Sequence, residues 1–213
     1  MEKNCRISPG RKGQPKKVIY LACEGGSIGS EGDYIKNLCN KYNCTLMAQS
    51  IYKGSADPLT LAEAAVEFCK RDSDLDGEVW IIFDNDEQDQ TKVKQAFGMV
   101  SQYNSQYNNI KGANFARVNI AFNSPSIETF ALLCCSAKIS EKRATNQSTL
   151  KLKDNMPKYH HEKSPQFDFD KMEKGYASAV ATAKSWEVSL AGEPEYTSAL
   201  FAGIYKLTES IKE

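Results

Sequence analysis

Histidine is nearly absent: the 213-residue chain has two, His160 and His161, side by side. Adjacent side chains rarely reach one ion together, and the seven cysteines include no Cys-x-x-Cys pair, so no zinc site can be read from the spacing. A disulfide framework is no better supported. Cys23 and Cys69 lie in apolar runs and read as buried, reduced thiols that behave as small hydrophobes. Net charge is missing too, with 27 Lys+Arg against 27 Asp+Glu, which excludes a global basic field and leaves any nucleic-acid contact to a local patch. No apolar run approaches the ~20 residues of a membrane span. The opening MEKNCRISPGRKGQPKK lacks the apolar core of a secretory signal, so the expectation is a cytoplasmic protein with no membrane partner. Gly25, Gly26 and Gly29 follow an apolar run, yet neither Gly-Lys-Ser/Thr nor Gly-x-Gly-x-x-Gly is present, which argues against a nucleotide loop.

What is present suits a packed core: 41% of residues are hydrophobic and 25% charged. Short apolar runs rich in β-branched and aromatic residues predict strands over Val18–Cys23, Cys44–Gln49, Val79–Phe83 and Phe115–Phe122. Between them, helical spacing predicts a helix over Glu31–Lys41 with Ser30 as N-cap, a second one starting at Pro58, and a polar helix reaching Tyr107. Ser124–Glu128 opens an apolar helix running through Leu133, and helical pattern returns over 168–186 and 197–211 as a C-terminal pair. This alternation predicts an α/β fold, a parallel sheet flanked by helices. The chain divides into a core over 1–136 (residues 1–16 a basic lead-in), a polar and basic insertion or loop over 137–167, and C-terminal helices over 168–213 packed on the core.

Ligands of open α/β sheets settle beyond the carboxyl ends of the strands. Here Glu24 closes the first strand, while Asp84 and Asp86 close the third; Glu31 starts the next helix and Glu128 a later one. Carboxylates gathered together repel unless protonated or neutralised, and oxygen-only donors favour Mg²⁺ or Mn²⁺. Acids are also favoured in loops and at helix N-termini by solvation and the helix dipole, so the residues leave both readings open. Three acids at two core-strand ends favour the cation site.

In order along the chain, Cys23-Glu24-Gly25 with Ser30-Glu31 and Tyr34, then Trp80-Ile-Ile-Phe83-Asp84-Asn85-Asp86, then Asn123-Ser124-Pro125-Ser126-Ile127-Glu128 before Phe130-Ala-Leu-Leu133 make a set. That set resembles the RloB-like branch of the Toprim superfamily, related to OLD-type nucleases. Tyr159 and Lys163 resemble the family's Tyr-x-Lys region. The resemblance implies a Toprim (Rossmann-like) sheet with a C-terminal helical extension, in which Glu24, Asp84 and Asp86 hold Mg²⁺ or Mn²⁺. It further implies a nuclease effector of bacterial anti-phage abortive infection, controlled by an AAA/ABC-type ATPase partner. On this reading Glu128 completes a second metal site or orients the attacking water, Lys163 neutralises charge on the phosphate, and Glu31 and Ser124 support the ligands.

A local patch fits a nucleic-acid substrate, DNA or RNA and tRNA included. Seven Lys/Arg against three acids lie between Lys138 and Lys163, with Lys142, Arg143, Lys151, Lys153, Lys158 and the ring of Tyr159 as the expected contact surface. A solvated loop explains the same composition. The competing function is a non-catalytic Toprim-shaped subunit that docks on an ATPase through Leu200, Phe201, Ile204, Tyr205 and Leu207, although packing of that stretch on the protein's own sheet is the favoured reading of those residues. Oligomeric state stays open.

Overall fold

The computed structural model describes residues 17–24, 30–48, 51–52, 56–72, 75–85, 89–107, 115–135, 139, 151–157, 159, 167–189 and 200–213. The elements run β1 (Val18–Cys23), α1 (Ser30–Tyr42), β2 (Thr45–Ala48), α2 (Pro58–Arg71), β3 (Glu78–Asp84), α3 (Gln90–Tyr107), β4 (Val118–Ser124), α4 (Glu128–Cys134), α5 (Phe169–Ser189), β5 (Phe201–Ala202) and α6 (Ile204–Lys212). A helical turn also covers 151–155.

The sheet has the order β2-β1-β3-β4-β5. β1 pairs parallel with β2 and β3, and β3 parallel with β4, so the predicted α/β class holds as a Rossmann-like sheet. Side chains alternate across it. Ile19, Leu21, Trp80, Ile82 and Ala121 face one core, formed with α1, α4, α5 and α6. Ala22, Val79, Ile81, Phe83 and Phe122 face the other, under α2 and α3. This division follows from handedness: the step from β1 to β2 moves one way along the sheet, whereas those from β2 to β3 and β3 to β4 move the other. Right-handed crossovers therefore place α1 opposite α2 and α3, and the reversal leaves a crevice between β1 and β3 at their carboxyl ends.

Local chemistry fixes the element ends. Asp57 caps α2, accepting from the N–H of Leu59 (3.1 Å) and Thr60 (3.2 Å), with Pro58 in the first turn as expected. α1 carries Glu31 and Asp33 in its first turn and Lys41 in its last, matching the helix dipole. It begins at Ser30. Gly77 enters β3 at φ 143°, and a Cβ there would stand 2.6 Å from the Val18 carbonyl oxygen.

The C-terminus corrects the reading. Instead of one helix over 197–211, the chain adds β5 antiparallel to β4, pairing Ala202 with Asn123 and Phe201 with Ser124, and only then forms α6. Phe201, Ile204, Tyr205 and Leu207 are buried, so this stretch packs on the protein's own core, as the C-terminal helices were expected to, and is not the docking face that the competing function needs. α5 and α6 do meet: Tyr176 bonds Thr208 at 3.0 Å, and Lys184 donates to Glu209 at 2.7 Å. Among the described residues no helix is long and apolar enough to cross a membrane.

Candidate metal centre

β1 and β3 are neighbours, so Glu24 and Asp84, at their carboxyl ends, emerge side by side at the crevice. Glu24 extends the ladder, its N–H donating to the Ile82 carbonyl at 3.1 Å, while its own carbonyl accepts from Ala56 N–H at 3.2 Å. Its Oε2 accepts the backbone N–H of Asp84 at 3.2 Å, which locks the two acids into one unit.

Asp84 is only 9% exposed and is held on both oxygens. Asn123 Nδ2 donates to Oδ1 at 3.0 Å, and the Ile127 N–H donates to Oδ2 at 3.2 Å. Such donors stabilise a buried carboxylate. Asn123, fully buried, turns its Oδ1 to the Ile204 N–H (3.2 Å), so the first turn of α6 and the acid share one amide. Asn85 continues the network. Its N–H reaches the carbonyls of Asn123 (2.8 Å) and Pro125 (3.0 Å), its Nδ2 donates to Ser124 Oγ (3.1 Å), and its Oδ1 accepts from Gln90 (2.6 Å).

The expected supports are both near. Ser124 contacts the loop after β3 through Asn85. Glu31 is half-buried, and its charge acts together with that of Asp84 on the Cys23 thiol. Burial first, then Glu31 and Asp84, push that thiol well above its ordinary range, so it stays a protonated hydrophobe.

Glu128 opens α4 and is 2% exposed. Its neighbour Ile127 holds Asp84, yet its own Oε1 accepts the hydroxyl of Tyr159. Tyr159 is fully buried and stacks on Phe167, centroids 5.4 Å apart and planes 3° from parallel. The nucleic-acid stacking surface expected of Tyr159 is therefore corrected: the ring belongs to the core behind the site. Lys153 is exposed and Lys151 half-buried on the 151–155 turn. Asp86, Lys142, Arg143, Lys158 and Lys163 lie outside the described residues, as do His160 and His161. Among the described residues no three His, Cys, Asp or Glu side chains form a group that could hold a metal ion. The described site is thus a carboxylate pair, Glu24 and Asp84, with Glu128 set behind it on the α4 side.

Sequence reasoning missed two features. Asn123 was read as part of a motif, though a polar residue ending an apolar strand was the available signal for a site role. The second is the ion pair between Lys92 Nζ and Asp57 Oδ2 (3.1 Å), which joins the N-terminal turns of α2 and α3 beside Ala56, whose N–H meets Glu24. No local pattern joins residues 35 positions apart. The described cavities of about 380 and 430 Å³ lie elsewhere, around Trp80, Arg117 and Asn119 towards the amino half of β4.

No curated protein and no solved structure matches the chain. One family model does, described as RloB-like protein, over residues 19–211, a span that takes in nearly all of β1, the carboxylate pair, the buried asparagine and nearly all of α6. The ordered motifs and that match agree: the chain belongs to the RloB-like family.

Proposed function

We propose that this chain is a Mg²⁺- or Mn²⁺-dependent nuclease that hydrolyses phosphodiester bonds of DNA or RNA. The observation that carries the reading is the Glu24–Asp84 unit at the sheet's switch point, its second acid buried and fixed by two N–H donors. The donors suit a hard cation, since among the described residues the site offers carboxylate oxygens and no imidazole. Glu24 and Asp84 would hold the ion, with Asp86 as the third ligand that the family resemblance implies. When bound, such an ion supplies neutralisation of phosphate charge and a water acidic enough to attack.

The chain's own part is orientation. Asn123 and the Ile127 N–H keep Asp84 aimed without rearrangement. α2 and α3 begin at this end of the sheet, so the positive ends of their dipoles favour an anionic backbone in the crevice. Lys92, in the first turn of α3 and ion-paired to Asp57, adds a positive charge near this end of the sheet.

Family membership supports extending the proposal to an effector of bacterial anti-phage defence, restrained by an AAA/ABC-type ATPase. The non-catalytic alternative loses the surface it relied on, because that apolar C-terminal stretch is packed inside. The test is cleavage of end-labelled single- and double-stranded DNA and RNA in Mg²⁺ or Mn²⁺. Wild type should cut at least one substrate, and Asp84→Asn, which keeps the shape, should lose at least about 100-fold. Equal cleavage by both proteins would refute the assignment.

A further inference from the structure

We infer that the cavity between the first two turns of α1 and the start of α5 receives an unpaired nucleobase of the substrate strand, and this rests on the nucleic-acid reading above. The cavity measures about 290 Å³, and the described residues that line it are Asp33, Tyr34, Lys36, Asn37, Phe167 and Phe169. Its back is aromatic: the ring centroids of Phe167 and Phe169 lie 6.3 and 6.1 Å from that of Tyr34. Tyr34 and Phe167 are buried, whereas Phe169 is only half-buried and so keeps ring surface for an occupant. The rim is polar. Asp33 is half-buried, Lys36 and Asn37 are exposed, and none of the three side chains has a hydrogen-bond or ion-pair partner among the described residues. α1 follows β1, whose carboxyl end carries Glu24, so these first turns stand at the crevice end of the sheet.

The chemistry selects the occupant. A phosphate would meet the carboxylate of Asp33, and a wholly apolar group would take water from Asp33 and Asn37 with nothing in return. A planar ring with donors and acceptors around its edge satisfies both parts, its face against Phe169 and its edge at the rim. The volume, at the low end for ligand sites, suits one ring system and no duplex. The base is unpaired because pairing would occupy the edge that the rim reads. Asp33 only accepts hydrogen bonds, so it favours cytosine or adenine, which carry an amino group there, over thymine or uracil, which carry a carbonyl. Lys36 gives the adjoining anionic backbone a positive partner.

The probes are end-labelled single-stranded oligo(dC), oligo(dA) and oligo(dT), their RNA counterparts, and duplexes of the same length, followed by fluorescence anisotropy in EDTA so that no cation takes part. Wild type should bind the cytosine and adenine strands at least about 5-fold more tightly than the thymine or uracil strand, and single strands more tightly than duplex. Asp33→Ala should level that order, and Phe169→Ala should weaken every single strand at least about 5-fold. An order unchanged in Asp33→Ala, equal binding of all strands by wild type, or unaltered affinity in Phe169→Ala would overturn the inference while leaving the nucleic-acid reading standing. Asp33→Ala decides the matter alone if Phe169→Ala does not fold. Absence of binding to every strand also overturns the inference, and the cleavage assay above then tells whether the nucleic-acid reading falls with it.

Discussion

Asn123 is where site and fold depend on one side chain, and Asn123→Ala tests that dependence. Its Nδ2 donates to Asp84 Oδ1 at 3.0 Å, and its Oδ1 accepts the Ile204 N–H at 3.2 Å, in a fully buried position. Alanine removes a hydrogen bond to a charged group, about 1.5–3 kcal/mol, and leaves a buried N–H unpaired, about 1–3 kcal/mol more. A loss of about 3–5 kcal/mol is expected, which lowers the melting temperature of a chain this size by roughly 10 °C. Urea unfolding followed by circular dichroism should show a lower midpoint at unchanged slope. Asn123→Asp sharpens the test: it keeps the acceptor for Ile204 but sets a second carboxylate against Asp84. The pair then takes up a proton more readily in the native state. Its deficit should therefore be largest at neutral pH and shrink on acidification. A loss under about 1 kcal/mol for Asn123→Ala, or wild-type stability at pH 7 for Asn123→Asp, would refute the assigned network.

Two further perturbations probe the packing around the site. A Cβ on Gly175 of α5 would fall 1.7 Å from the Cys134 carbonyl oxygen of α4, backbone with no flexible end to yield, so Gly175→Ala should cost about 3 kcal/mol in urea unfolding or stop folding. Glu173 is half-buried, which raises its carboxyl, but hydrogen bonds from Lys212 and Lys41 outweigh that desolvation and hold it below its ordinary 4.5. A native form more acidic than the unfolded one stabilises above pH 4.5 and loses that contribution as pH falls through the lower native value. The urea midpoints of wild type and Glu173→Gln should therefore differ at pH 7 and converge in acid.

Much of the fold was legible because parallel strands buried on both faces announce themselves as apolar runs. Val79–Phe83 was read within a residue of β3, and its abrupt end at Asp84 marked the crevice. Legibility failed where structure arises from distant partners. β5 is two residues long and exists because Phe201 and Ala202 pair with Ser124 and Asn123, and the adjoining Gly203 N–H reaches the Phe122 carbonyl. A pairing that short leaves no period in the sequence, and the surrounding apolar residues look helical. Tyr159 misled for the same reason. Its neighbours are polar and basic, which reads as a surface, while its burial depends on Phe167 and Glu128. Glu24 and Asp84 were found from strand ends alone, but the amide that holds Asp84 comes from a third strand, so its role required the sheet order.

The central claim is that Glu24 and Asp84 form a divalent-cation site, and thermal melting across a Mg²⁺ titration tests it most directly. The account predicts a saturable rise in the wild-type melting temperature, following the ligand-linkage relation, that is lost in Asp84→Asn and in Glu24→Gln. Identical curves for wild type and both variants, whether flat or rising, would contradict it.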